Sequence, residues 1–275
     1  MNNEKKIIAL DLDGTLLTDK KTIRISTILY LKKQEKLGNI IVITTGRPAR
    51  TAIKFYNILN LHGPMLSYNG NYIYNPRDVT FVPMITTIKK EFVKEIYKTL
   101  IGKHADCAFT ESLNELCYDK KDFFVFTIDE NNHIENKIGR LDENLDKDPL
   151  IFIMHVSDSS KENCDYITNY VNEKFPTLIA EFWGQNDYVE IHNRGINKGS
   201  QIKKLMNFYQ VKPNNVYTFG DSINDIDMVT TFKNGFAMKN ANKKLLELTK
   251  NITIDDNNHN GVIKTLNKYF KNPNK

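Results

Sequence analysis

Short apolar runs alternate with helix-spaced segments over the first 80 residues, and this alternation limits the fold more than any other feature of the chain. "KIIALDLDG" (6–14) reads as a strand, with Ile7 to Leu10 apolar throughout, as in a strand covered on both faces. "IRISTILYLKKQEKLG" (23–38) carries helical apolar spacing and ends at Gly38. "NIIVITTGR" (39–47) is a second buried strand, and "PARTAIKFYNILNLHG" (48–63) a helix with Pro48 at its start and Gly63 beyond its end. "PMLSYNGNYIYN" (64–75) reads as a third strand running into a turn. Strands and helices in this rhythm predict an α/β fold, a parallel sheet with helices on both faces.

The middle of the chain breaks the rhythm. Between residues 84 and 187 the strand candidates "ADCAFTE", "DFFVFTI", "PLIFIMHVS" and "TLIAEFWG" mix with helices near 87–101 and 160–174. This predicts a smaller α+β domain, 84–187, inserted into a core formed by 1–83 and 188–275. The rhythm resumes with "NKGSQIKKLMNFY", "NNVYTFGDS" and "INDIDMVTTF", which read as helix, strand and helix and complete the sheet.

Composition excludes several classes. Apolar residues are 40% and charged residues 26% of the 275, ordinary for a globular chain. No apolar stretch approaches the ~18 residues that span a bilayer, and no signal peptide is visible, so neither membrane insertion nor secretion is expected. Cys107, Cys117 and Cys164 are odd in number and show no C-x-x-C spacing, which suits reduced thiols in the cytoplasm. The net charge of +5 is dispersed, without a basic patch interleaved with aromatics, so no nucleic-acid partner is expected. No H-x-x-x-H pair occurs, so no zinc site is expected.

The polar residues that follow the predicted strands carry the chemistry. Asp11 and Asp13 follow the first, Thr44, Thr45 and Arg47 the second, and Asp221, Asn224 and Asp225 the strand in "NNVYTFG"; Lys198 opens a helix. In a parallel sheet, ligands bind beyond the carboxyl ends of the strands, where these groups would converge. Carboxylates brought together require a hard cation, and oxygen ligands suit Mg²⁺. A lysine and a threonine hydroxyl would cradle a phosphoryl group, one aspartate serving as nucleophile and the other as acid and base. Blander readings exist for each piece. "DLDGT" fails as a calcium loop, because Leu16 and Thr22 stand where glycine and glutamate are needed. "GDSIND" also reads as a helix start, Ser222 capping with Asp225 three residues on. Trp183, Asn186 and Asp187 are either hairpin residues or substrate contacts, and His155 reads as a strand residue.

"DLDGT", "TTGR", "NKG" and "GDSIND" resemble, in order, the four motifs of the haloacid-dehalogenase-like superfamily of phosphotransferases. The long insert, with "SYNGNYI" before it, is similar to the Cof-type sugar-phosphatase branch with its large α/β cap. That resemblance covers the whole chain and implies a Rossmann-like core with 84–187 as a substrate-selecting cap. It implies Asp11 as nucleophile, Asp13 as acid/base, and Thr45, Gly46, Arg47, Lys198 and Asn224 around the phosphoryl group and substrate. It implies Mg²⁺ on the Asp11 carboxylate, the Asp13 backbone carbonyl and Asp221, with Asn224 and Asp225 supporting. The expected activity is hydrolysis of phosphate monoesters of small metabolites, sugar phosphates foremost, through an aspartyl-phosphate. A phosphohexomutase and a metabolite-sensing binding protein are the alternatives. Asp13 argues against the second, since binding alone needs no acid/base.

Overall fold

The computed structural model describes residues 4–120, 134–183, 185 and 187–271. The chain divides into two compact units, Met1–Met84 with Asn197–Lys275, and Ile85–Ile196. In the first unit the strands are β1 (Ile7–Asp11), β2 (Ile40–Thr44), β3 (Met65–Ser67), β4 (Tyr72–Tyr74), β12 (Val216–Gly220) and β13 (Asn234–Ala237), with β5 (Met84–Ile85) where the chain passes to the second. The helices are α1 (Ile25–Lys36), α2 (Ala49–Leu59), α6 (Lys198–Phe208), α7 (Ile226–Thr231), α8 (Lys243–Leu248) and α9 (Gly261–Lys271). The sheet order is β13-β12-β1-β2-β3-β4-β5, with neighbours parallel from β13 to β3.

The apolar run of β1 is buried because both faces are covered. Ile8 and Leu10 pack with Leu31 of α1, Ala52, Phe55 and Leu59 of α2, and Val262 and Leu266 of α9. Ile7 and Ala9 face the opposite layer, with Ile202 and Leu205 of α6, Met228 and Val229 of α7, and Leu245 of α8. Each fully buried aliphatic side chain contributes about 1.5–3 kcal/mol. A strand clamped this way delivers its last residue, Asp11, to a fixed point.

The segment 64–75 runs from a strand into a turn as expected, at Tyr68 and Asn69 (φ 52° and 55°) and Gly70 (φ 103°), and adds a further strand, β4, that returns antiparallel to β3. One local expectation is corrected. Helix α2 stops at Asn60 rather than running towards Gly63, because Asn60 takes the left-handed conformation (φ 52°) that asparagine tolerates.

The second unit holds a sheet in the order β10-β11-β9-β6-β7-β8 among the described residues. Its strands are β6 (Cys107–Glu111), β7 (Glu115–Tyr118), β8 (Glu135–Ile138), β9 (Ile151–His155), β10 (Leu178–Trp183) and β11 (Tyr188–Asn193). Helices α3 (Lys90–Leu100), α4 (Leu141–Asn144) and α5 (Lys161–Lys174) complete it. Val93, Ile96 and Leu100 of α3 and Ile167 and Val171 of α5 share one apolar core with Phe152, Met154, Val189 and Ile191 of the sheet. Strands β7 and β8 were not foreseen, and the candidate strand 122–128 lies outside the described residues. The unit ends at Ile196, not at 187, because β11 pairs antiparallel with both β10 and β9 and so belongs to this sheet.

Candidate active site

The predicted residues leave the first sheet along one edge. Asp11 closes β1 opposite Thr44, the last residue of β2, and Leu10 pairs with Phe219 near the end of β12. Successive strands run outward from β1 in both directions, so β1 and β12 flank the switch point where such sheets bind ligands.

Lys198 organises the centre. Asn197 caps α6 by accepting from the Ser200 N–H (2.7 Å) and donating its own N–H to Ser200 Oγ (3.1 Å), which fixes Lys198 in the first turn. Its ammonium, 1% exposed, donates to Asp11 Oδ1 at 2.7 Å and to Asp225 Oδ1 at 2.6 Å. Asp225 accepts on Oδ2 from the N–H groups of Asp221 and Ser222, both at 2.9 Å. The capping reading of "GDSIND" and the site reading therefore hold together: Asp225 shapes the loop and anchors the lysine. Burial opposes charging Lys198, but Asp11 and Asp225 outweigh it and hold its pKa above the usual lysine value.

One ammonium does not balance this cluster. Carboxylate oxygens of Asp11, Asp221 and Asp225 lie within 4.8 Å of one another. Two such charges repel by about 3–4 kcal/mol at an effective dielectric near 20. Burial first, opposed by Lys198 and reinforced by Asp225 and Asp221, raises the Asp11 carboxyl well above its ordinary range. Burial and Asp225 likewise push Asp221 up to about 7. Oxygen donors with excess negative charge, held at fixed positions, fit a hard divalent cation.

Gly14 makes this approach possible. Its φ is +73°, and a Cβ there would fall 2.2 Å from Asp221 Oδ2. Thr15 Oγ1, one residue on, donates to Asp221 Oδ1 at 2.9 Å.

Asp13 is held separately. Arg47 grips it with Nε on Oδ2 and Nη2 on Oδ1 (2.7 Å), and Lys21 Nζ donates to Oδ1 at 2.6 Å. Partial burial pushes the Asp13 carboxyl up, but the two cations outweigh it and hold it below the usual range. Thr45 is buried, and its Oγ1 accepts from the Arg47 N–H at 3.1 Å. Gly46 passes beside a pair of amides, Asn224 Nδ2 donating to Asn69 Oδ1 at 2.9 Å.

Every predicted site residue thus lies in the first unit, around this sheet edge, and the structure adds three that sequence reasoning missed. Thr15 sits inside "DLDGT", and Asn69 follows a fourth strand end of the same edge, so both had a signal; Lys21 had none. In the second unit, Trp183 stacks on Tyr188 at 4.6 Å as a hairpin pair, Asp187 accepts from the Gln185 N–H, and Asn186 lies outside the described residues. His155 ends β9 beside Asp106 Oδ2 (3.1 Å). All three cysteines are thiols, none of them in a disulfide.

Residues 8–266 match the family of haloacid dehalogenase-like hydrolases. The 5-amino-6-(5-phospho-D-ribitylamino)uracil phosphatase YitU of Bacillus subtilis is 28% identical over 272 residues, covering 98% of this chain and 99% of that one. The pyridoxal phosphate phosphatase YbhA of Escherichia coli is 27% identical over 263 residues, covering 94% and 96%. A crystal structure of a haloacid dehalogenase-like hydrolase from Bacteroides thetaiotaomicron superposes with a TM-score of 0.81 at 23% identity, covering 97% of this chain and 100% of that one. Fold and site thus define a hydrolase of phosphate monoesters. The chain belongs to the haloacid dehalogenase-like hydrolases, in their Cof-type branch.

Proposed function

We propose that this protein is a Mg²⁺-dependent phosphatase of small phosphorylated metabolites, sugar and sugar-alcohol phosphates foremost, working through an aspartyl-phosphate on Asp11. The observation that carries the reading is the buried Lys198 bridge between Asp11 and Asp225, beside a third carboxylate on Asp221. The ion would be held by the Asp11 carboxylate, the Asp13 backbone carbonyl and the Asp221 carboxylate, with Asp225 in support. Bound there, it would neutralise the carboxylates and draw charge from the phosphoryl oxygens.

An Asp11 oxygen attacks phosphorus, and the bond from phosphorus to the leaving oxygen breaks as Asp13 delivers a proton to that oxygen. Asp13 then takes a proton from water, whose oxygen attacks phosphorus. The Asp11–phosphorus bond breaks, releasing inorganic phosphate and restoring the carboxylate. Lys198 and the Thr45 hydroxyl stabilise the phosphoryl oxygens, with Gly46, Arg47 and Asn224 lining their surroundings. Arg47 and Lys21 favour the ionised form of Asp13, the form that takes the proton from water in the second step.

The second unit is assigned the selection of the leaving group. The substrate class draws on the relatives' names, which give a phosphoribityl compound and pyridoxal phosphate. Among the described residues no helix is long and apolar enough to cross a membrane. The three cysteines are reduced thiols, which supports a cytoplasmic setting.

Phosphate release from a panel of phosphorylated metabolites, with Mg²⁺ and with chelator, tests the proposal. Metal-dependent release that falls roughly 10³-fold or more in Asp11→Asn supports it. Isomerised sugar phosphate with little free phosphate would favour a mutase. Tight ester binding without product would favour a sensor.

A further inference from the structure

We infer that Lys21 is a positioning residue for Asp13, an inference that rests on the acid/base reading of Asp13. The Asp13 side chain is 36% exposed, so packing does not fix its orientation. Three donors do. Arg47 takes both oxygens from one side, and Lys21 reaches Oδ1 at 2.6 Å from a different stretch of chain.

The turn that carries Lys21 is built to present it. Lys21 itself adopts φ 56°, a left-handed conformation that a lysine takes only when its surroundings impose it. The turn closes through Thr18 N–H to Thr22 O (2.9 Å), Lys21 N–H to Thr18 O (2.8 Å) and a contact between the Thr18 and Thr22 hydroxyls (2.8 Å). It is also tied to a distant segment. Asn257 Nδ2 donates to Leu17 O (2.9 Å) and Asp19 Oδ1 (3.0 Å), and Asn258 Nδ2 donates to Asp19 Oδ2 (2.8 Å). The Asp19 N–H donates in return to Asn258 Oδ1 at 3.1 Å.

These ties also settle the charge pairing. Asp19 is the carboxylate nearest to Lys21 in sequence, yet both its oxygens are taken by the two amides, and the ammonium goes to Asp13 instead. The turn's own hydrogen bonds and its ties to Asn257 and Asn258 hold Lys21 in this conformation, and what they present, on a side chain 56% exposed, is an ammonium against Asp13. With Lys21 gone, Arg47 still binds both oxygens but the carboxylate tilts about that single fork, and small misplacements of a reacting group are felt strongly in rate.

The test uses the full chain with Lys21→Met, Lys21→Arg and the Asp11→Asn control. Lys21→Met is expected to melt like the wild type, lose about 10- to 100-fold in kcat and keep KM within about threefold. Lys21→Arg, which can restore a donor to Oδ1, is expected to recover most of the loss. A wild-type kcat in Lys21→Met, a loss confined to KM, or no recovery in Lys21→Arg would each overturn the inference. If wild type and Asp11→Asn are equally inactive on every ester, the acid/base reading itself fails. Crystal structures of wild type and Lys21→Met then judge the positioning role alone: the Asp13 carboxylate should be turned or doubled in the variant, and the same single orientation in both overturns it.

Discussion

Lys198 Nζ and Asp225 Oδ1 meet at 2.6 Å with almost no exposure on either side. Their contact ties the start of α6 to the loop after β12, two segments that sequence places apart but the sheet edge joins. Removing one partner of a buried pair leaves an uncompensated charge and costs about 3–5 kcal/mol. Lys198→Met should therefore lose stability on that scale, measured by chemical denaturation, together with its activity. The double variant Lys198→Met/Asp225→Asn, which removes the second buried charge and keeps an acceptor for the Asp221 and Ser222 N–H groups, should regain part of the stability and none of the activity. Equal instability of the single and double variants would show that the pair is not the organising contact.

Gly14→Ala should disable the site more than its size suggests. The added methyl group meets the Asp221 carboxylate at 2.2 Å, and the backbone stays in a left-handed conformation costing about 1–3 kcal/mol for a non-glycine residue. Asp221 must move, and with it the third carboxylate of the cluster. We expect a folded variant by circular dichroism with phosphate release down by roughly 10²-fold, as for groups misplaced by about 1 Å. A near-native rate would mean that Asp221 tolerates displacement.

The sequence made the sheet edge legible for a physical reason. Strands β1 and β2 are continuous apolar runs and β12 is broken only by the buried Thr218, so the polar residues that end or follow them stand out as Asp11, Thr44 and Asp221. Lys198 was legible only as part of a motif, since nothing local distinguishes a lysine that caps a buried carboxylate cluster from a solvated one. Lys21 was not legible at all, because its placement depends on a left-handed backbone and on Asn257 and Asn258, more than 230 positions away. The unit boundary was misjudged at β11 because its first residues resemble a return to the core, whereas its pairing with β9 is long-range and leaves no local mark.

Gly46 and Asn69 should show coupled effects. A Cβ at Gly46 falls 3.0 Å from Asn69 Oδ1 and 3.4 Å from Asn224 Nδ2, so the amide pair must yield by a few tenths of an ångström. Gly46→Ala should lower kcat, and the loss should shrink when Asn69→Ala removes the obstructing amide. Neighbouring residues in one network show coupling energies of about 0.5–3 kcal/mol. Strict additivity in the double-mutant cycle would separate the two positions.

Metal should act on stability as well as on rate. A ligand that binds only the folded state stabilises it by about 2.7 kcal/mol at a hundred times its dissociation constant. Added Mg²⁺ should raise the melting midpoint of the wild type, and the increase should vanish in Asp221→Asn. Chelator should stop phosphate release and Mg²⁺ restore it. A midpoint that ignores the ion while activity needs it would place the metal on the substrate rather than on the carboxylates.

His192 gives the second unit a pH dependence of known sign. Glu181 and Glu190 stand directly opposite each other on β10 and β11, an arrangement of like charges that disfavours the pairing. His192 Nε2 lies 3.3 Å from Glu181 Oε2. Burial opposes its protonation, but Glu181 and Glu190 outweigh burial and raise its pKa in the folded chain above 6.5. A group whose folded pKa is raised contributes fully below its unfolded value and loses that contribution as pH climbs through the folded one. The difference in melting midpoint between wild type and His192→Gln should be largest below pH 6.5 and close as the pH rises. A gap that stays constant, or widens with pH, would show that the imidazole acts there by packing and not by charge.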